Sequence, residues 1–356
     1  MAGVKGTLYR HEVELAHPVR ASGQHHLRRD RLFLALEHRS VVGYGEVAPQ
    51  LTALNGDPGV DDVISAACVI LARTELISTD VAGTFTGWRV GDLDGADPSI
   101  RWANSLVDMA LRDWEMKARG VRAETAWPAR YDPPAQVSVS VLDDAPWSEV
   151  TAVARVRVKC APDPLGAEAL ERLAALSVPI LLDLNAGADS VAQVHELLGQ
   201  LSGVVVVDAV EQPFGIEQFS EHAQLARQLN VAVSLDESVR SLADVARIVA
   251  QGSATMICVK PARVGGFERA VEIIERARGE GLRAYVGGFF ESPYARLVNR
   301  VLARHCVEEP SDLVDVATRA TGWTECVEAR FGFGASPSAE LLRRAERVAV
   351  FAKGPS

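Results

Sequence analysis

Two rhythms of apolar and polar positions divide the chain. From about residue 4 to 48, short apolar runs alternate with turn residues. Leu32–Glu37 and Val41–Glu46 flank His38-Arg39-Ser40, which reads as a hairpin turn. The polar stretch Pro18–Asp30 reads as a loop. From Pro58 to Gly120 the apolar spacing changes to threes and fours, so Asp61–Thr74 and Ile100–Arg119 are expected helices. In the second, Leu106, Met109, Ala110, Trp114 and Met116 line one side, and Gly120 supplies a stop. Strands followed by helices predict an α+β unit over residues 1–128.

The grammar changes after the proline-rich stretch Trp127–Pro134. Strands are expected at Val137–Leu142, Ala154–Cys160, Ile180–Asn185, Val204–Val210, Ala232–Asp236, Met256–Val259 and Ala284–Gly288. Helices are expected between them at Gly166–Leu176, Ser190–Leu201, Glu217–Leu229, Leu242–Gln251 and Gly266–Glu280. Such alternation predicts a parallel sheet covered on both faces, and at this repeat count a (β/α) barrel over 129–334 rather than an open sheet. The tail, about 335–356, is apolar enough to pack back on the first unit and complete it.

Composition narrows the picture. The 356 residues are 48% hydrophobic, with net charge −10 and acids and bases interspersed. No basic stripe with interleaved aromatics suggests a nucleic-acid partner. Arg28, Arg29 and Arg31 read as a solvated cluster. The five scattered cysteines form no CxxC pair, which predicts reduced thiols. Met1–Pro18 lacks an apolar signal core and no run approaches a membrane span, so a cytoplasmic location and no membrane partner are expected. Nothing in the pattern specifies an oligomeric state. Gly43-Tyr44-Gly45-Glu46-Val47-Ala48 matches a dinucleotide fingerprint, but Pro49 follows and no helix opens. Gly265-Gly266 reads as a tight β/α turn rather than a phosphate cradle.

The chemistry lies at the strand ends. Lys159, Asp183, Glu211, Asp236 and Lys260 follow one another at intervals of 24 to 28 residues. A barrel unit has about 30 residues, so these five belong on the rim of successive strands, where barrel enzymes work. The order is base, three acids, base. Two like charges about 4 Å apart cost roughly 4 kcal/mol at an effective dielectric near 20. Three such pairs approach a domain's whole stability, about 5–15 kcal/mol. Protons or a divalent cation must offset that, and an all-oxygen set suits Mg²⁺, or Mn²⁺, rather than zinc. Such an ion holds a substrate carboxylate and takes up the charge formed when the α-proton leaves. A flanking lysine of lowered pKa serves as base, and Arg157 shares a strand face with Lys159.

At these residues the chain resembles the enolase superfamily, in its muconate-lactonizing-enzyme branch. The motifs are RVKC (Arg157, Lys159), LDLNAG (Asp183, Asn185), VEQPF (Glu211), SLDES (Asp236, Glu237), VKPARVGG (Lys260) and RDWEMKARG in the first unit. The resemblance implies a capping domain followed by a (β/α)₇β barrel. It implies Mg²⁺ on Asp183, Glu211 and Asp236, with Lys159 and Lys260 on opposite sides of the substrate's α-carbon. Arg157, Asn185 and Glu237 then support the site. VGGFFES, holding Gly288, Phe289, Glu291 and Ser292, is similar to the seventh-strand segment of o-succinylbenzoate synthases and N-acylamino acid racemases. PSDL at 310–313 is similar to their last-strand segment. Where those synthases follow their ES with a glycine-rich turn, this chain has Pro293-Tyr294-Ala295-Arg296. The resemblance implies a small carboxylate substrate. It favours dehydration by a synthase over racemisation or dipeptide epimerisation, with a non-catalytic binding barrel as the alternative of another class. Arg20, His25 and His26 are further candidates for substrate contact, because the family's cap reaches over the site there.

Overall fold

A computed structural model describes residues 4–21, 24–72, 95–141, 153–314 and 324–352, with short pieces at 78–79, 85–86, 93 and 147. The first unit holds β1 (Lys5–Ala21), β2 (Gln24–His38), β3 (Val41–Val47), α1 (Val60–Ala72), β4 (Ser78–Thr79), β5 (Phe85–Thr86), α2 (Pro98–Arg119) and α3 (Ala123–Ala126). The turn between β2 and β3 is Arg39-Ser40, both at positive φ (49° and 65°), the geometry that matches strand twist in a two-residue hairpin.

Pro18–Asp30 is not a loop. β1 and β2 continue as a long hairpin in which Val19 faces His26 and Arg20 faces His25, beyond a bulge after Glu14. Its polarity hid it. Arg28 pairs in solvent with Glu12 at 3.1 Å, while Arg29, Asp30 and Arg31 are buried, so no apolar alternation announces the strand.

Helix α2 has strong ends. Asp97 accepts a hydrogen bond from Ser99 N, Pro98 takes the first position, and Gly120 closes the helix in the left-handed conformation at φ 64°. The helix lies so close on β3 that a Cβ at Gly43 or Gly45 would overlap the backbone of Ala110 or Leu106. Those glycines serve close packing, which accounts for the false dinucleotide fingerprint. Leu8, Leu32, Leu34 and Leu36 from the sheet meet Trp102, Leu106 and Ala110 from α2 in one core.

The barrel strands are β6 (Gln136–Ser140), β7 (Arg155–Lys159), β8 (Ile180–Asp183), β9 (Val207–Glu211), β10 (Ala232–Leu235), β11 (Met256–Val259) and β12 (Arg283–Val286). They form one parallel sheet in sequential order. Helices α4 (Ala167–Ala174), α5 (Val191–Leu201), α6 (Phe219–Gln228), α7 (Leu242–Gln251), α8 (Pro261–Val264), α9 (Phe267–Gly279) and α10 (Pro293–Cys306) alternate with them. Ser311 and Asp312 close the circle: Gln136 N donates to Ser311 O at 2.9 Å, and Asp312 N donates to Val286 O at 3.0 Å. Alternate residues split between two layers. Val158, Ile180, Leu182, Val210 and Leu235 pack outward against helices, while Leu181, Ala209, Met256, Cys258 and Tyr285 fill the interior. At the amino ends of the strands Arg155 pairs with Asp208 at 2.7 Å and Arg283 with Glu309 at 2.7 Å. That end of a barrel serves stability.

After the barrel come β13 (Cys326–Glu328), β14 (Ala335–Pro337), α11 (Ala339–Arg344) and β15 (Glu346–Ala352). β15 pairs antiparallel with β1, giving the first sheet the order β15-β1-β2-β3. Among the described residues no helix is long and apolar enough to cross a membrane.

Candidate active site

Register builds the site. In the parallel ladder Lys159 is opposite Asp183, and Asp183 is opposite Glu211, so three charged side chains from β7, β8 and β9 stand on one rung. Asp236 follows β10, and Lys260 follows β11. Asp183, Glu211 and Asp236 are all 0% exposed. One nitrogen, Arg157 Nη2, touches all three: Asp183 Oδ2 at 2.9 Å, Asp236 Oδ2 at 3.2 Å, and Glu211 Oε1. Its other nitrogen, Nη1, meets Asp312 Oδ2 at 3.3 Å.

The two lysines stand on opposite flanks of this trio. Lys159 Nζ donates to Asp183 Oδ2 at 2.6 Å and to Asn185 Oδ1 at 3.1 Å. Lys260 Nζ donates to Asp236 Oδ2 at 2.8 Å and lies 4.5 Å from the Phe289 ring. Asn185, at φ 43°, also donates to Glu237 Oε1 at 3.2 Å, tying that carboxyl to the rung. Tyr285 donates its hydroxyl to Glu211 Oε2 from below.

Electrostatics follow from this crowding. Burial pushes the Glu211 carboxyl up to about 8, with Asp183 and Asp236 adding to the rise against Arg157. Burial and Asp236 likewise raise Glu237 to about 7. Asp236 goes the other way: Arg263, Lys260 and Arg157 overcome burial and hold it well below its usual range. Burial works against the Lys260 ammonium, but Asp236 outweighs it and keeps the amine above its ordinary value. Three buried carboxylates thus surround Arg157 Nη2, with Lys159, Lys260 and Arg263 at their edges, and burial above all keeps Glu211 protonated more readily than the two aspartates. An all-oxygen trio of this kind fits a hard divalent cation. Among the described residues, the group whose ligand atoms all lie within 4.8 Å of one another is Glu211, Asp236 and the softer Cys258 Sγ, with Asp183 joined to them through Arg157.

Other expected residues are placed differently. Glu291 pairs with Arg296 at 2.9 Å, and Ser292 caps α10 while donating its backbone N–H to Glu46 Oε1 at 2.7 Å. The structure thus commits both to holding the loop after β12, and Phe289 is the member of that loop that meets Lys260. Gly288 donates its N–H to Asp312 Oδ2 at 3.4 Å, and a Cβ there would overlap Arg296. His26 lies buried on β2, and the side chains of Arg20 and His25 lie outside the described ones.

The sequence reading passed over three contributors. Asn55 donates to the carbonyl oxygen of Asn185 at 3.2 Å. Asp57 grips Arg263 at 2.7 Å, and Arg263 in turn reaches Asp236. The signal for Asn55 and Asp57 was the turn-rich run Asn55-Gly56-Asp57-Pro58, which marks a loop but not its destination, while Arg263 lay within VKPARVGG.

Residues 149–319 match the family model described as enolase C-terminal domain-like. The chain is 30% identical over 200 residues to an o-succinylbenzoate synthase of Enterococcus faecalis, covering 52% of this chain and spanning about half (53%) of that protein. It is 26% identical over 321 residues to the o-succinylbenzoate synthase of Bacillus subtilis, covering 84% of this chain and 81% of that one. An N-succinylamino acid racemase of an Amycolatopsis species is also 26% identical, over 85% of this chain and 83% of the other. In fold, the chain is similar to an enolase superfamily member from Listeria innocua, at TM-score 0.77 and 20% identity over 99% and 98% of the two chains. It is equally similar, at TM-score 0.77 and 18% identity over 99% and 100%, to a dipeptide epimerase from Cytophaga hutchinsonii complexed with Mg and the dipeptide D-Ala-L-Val.

Proposed function

From the match of residues 149–319 to the enolase C-terminal domain-like family, we propose that the protein is a Mg²⁺-dependent enzyme that removes the proton α to a substrate carboxylate. One observation carries the reading: two amines flank a single trio of buried carboxylates, Lys159 at Asp183 and Lys260 at Asp236. Asp183, Glu211 and Asp236 hold the ion, with Mn²⁺ able to replace it. When bound, the ion supplies a Lewis acid that favours the enediolate over the carboxylate.

The chain's own residues do the rest. As a neutral amine, Lys159 takes the α-proton, and Lys260, as an ammonium on the other face, steadies the enediolate. Arg157 and Asn185 fix the positions of the acids and of Lys159. Glu237 is held by Asn185 behind them. Residues 1–128 with 335–356 form the cap, and 129–334 the catalytic barrel. Apolar Phe289 and the docked loop at 50–59 keep water from the amines.

Within that chemistry the favoured reaction is that of o-succinylbenzoate synthase, the dehydration used in menaquinone synthesis. Lys159 then returns its proton to the departing hydroxyl on the same face. N-Acylamino acid racemisation, or dipeptide epimerisation, is the second reading, because one amine stands on each side of the trio and either can exchange a proton. Incubation in D₂O with Mg²⁺ tests the class: exchange of the α-hydrogen of N-succinyl amino acids is expected, and no exchange there or with dipeptides, together with no turnover of the cyclohexadiene carboxylate, would leave a binding barrel. Aromatic product from the cyclohexadiene carboxylate precursor identifies the synthase. Racemisation without that product identifies the second reading.

A further inference from the structure

One buried guanidinium beside the loop after β12 has, among the described residues, no acid in ion-pair contact with it. Along β2, alternate residues face opposite ways. Leu32 and Leu34 enter the cap core, and Asp30 on the same face pairs with Arg10 at 2.7 Å. Arg29 and Arg31 face the barrel. Arg31 is satisfied there: it donates to Phe290 O at 3.0 Å and pairs with Glu325 at 2.9 Å. Arg29 is only 2% exposed, yet among the described residues it makes no ion pair. Its Nη1 donates to Gln50 Oε1, its carbon lies 4.6 Å over the Phe290 ring, and its Nε has no partner among the described residues. Burial lowers its guanidinium to about 10, against the more distant Glu291, Asp57 and Asp30.

Position gives the orphan charge a meaning. Phe290 follows Phe289, whose ring covers Lys260. Gln50 begins the loop whose Asn55 and Asp57 reach the rim. Arg29 is therefore packed between the residue that follows Phe289 and the start of the loop that reaches the rim. A buried cation without an anion is strongly unfavourable, and a planar fork of donors fits a carboxylate.

We propose that Arg29 binds a second carboxylate, carried by the substrate at the end remote from the reacting carbon, and so selects dicarboxylates over monocarboxylates. This rests on the site assignment above and deepens it. Arg29 is a specificity residue and takes no part in proton transfer.

The test compares N-succinyl-phenylalanine with N-butyryl-phenylalanine, which lacks only the terminal carboxylate, by calorimetric binding to the Mg²⁺-loaded protein. The wild type should prefer the succinyl ligand by about tenfold to a hundredfold, the range of a charge-assisted hydrogen bond. Arg29→Met should collapse that ratio toward one, and Arg29→Lys should keep part of it. Should Arg29→Met fail to fold, Arg29→Gln reads the same ratio. Equal binding of both ligands by the wild type overturns the proposal, as does a parallel loss of both in the variants. Deuterium exchange on the same samples separates the two levels. Preference for the succinyl ligand with neither exchange nor aromatic product from the cyclohexadiene carboxylate removes the catalytic reading alone, and exchange or product without preference removes the role of Arg29 alone.

Discussion

Lys159 and Lys260 differ in their surroundings. Lys159 keeps 13% of its side chain exposed, whereas Lys260 keeps 7% and is roofed by Phe289. Their separate roles can be read from two variants. In a racemase, Lys159→Ala and Lys260→Ala should each abolish exchange with one enantiomer of an N-succinyl amino acid and spare part of the other. In a synthase, Lys159→Ala alone should remove both proton abstraction and dehydration, by about 10²–10⁴-fold, the range for a general base. Chiral chromatography of substrate recovered from D₂O decides between them. At this scale the sequence spoke clearly wherever a charged residue ended an apolar strand, because such a position has one geometric meaning in a barrel. It was silent on Asp57 and Arg263, since a loop residue's partner lies some 200 positions away and leaves no local spacing. It misjudged Arg29 and Arg31, which look like a solvated cluster until the barrel covers them.

Elements transmit the site's position through a few tight contacts. β3 carries Glu46, which accepts hydrogen bonds from Ser292 N and Oγ and so ties the cap to the start of α10. Burial raises Glu46 to about 7, with Arg31 and Ser292 opposing and Glu291 adding. Because the folded value lies above the ordinary 4.5, the stability this group allows is complete below about pH 4.5 and declines as pH rises through 7. Glu46→Gln should therefore melt higher relative to wild type at pH 8 than at pH 5, and a gap that does not move with pH would count against it. Gly45→Ala should be worse than either, since its Cβ overlaps the α2 backbone; overpacking of this kind costs about 1–3 kcal/mol or more, measurable by urea unfolding. Helices and barrel strands were legible in the sequence because burial on one face or two leaves period-bearing apolar runs. The outer half of the β1–β2 hairpin was not, because the run Gln24–Arg31 carries a single apolar residue, Leu27, and so no apolar alternation.

For the whole molecule, a cation held by the acidic trio would tie metal to stability. An ion that binds the folded site stabilises it by about 2.7 kcal/mol at a hundred times its dissociation constant. Saturating Mg²⁺ should raise the melting temperature by several degrees and EDTA should reverse it, while Asp236→Asn should flatten the response. The circular order of the barrel could be read from its repeat, whereas the closing contact at Ser311–Asp312 is too short to carry an apolar strand pattern and was legible only through the likeness of PSDL to a last-strand segment.

The pairing of β15 with β1 has a temporal consequence. A ribosome finishes residues 346–352 long after residues 5–21, so the growing cap must wait with one flank of backbone groups unmatched while every barrel strand is made. The barrel can curl first, and the roof over its mouth is finished only when the last strand is threaded home.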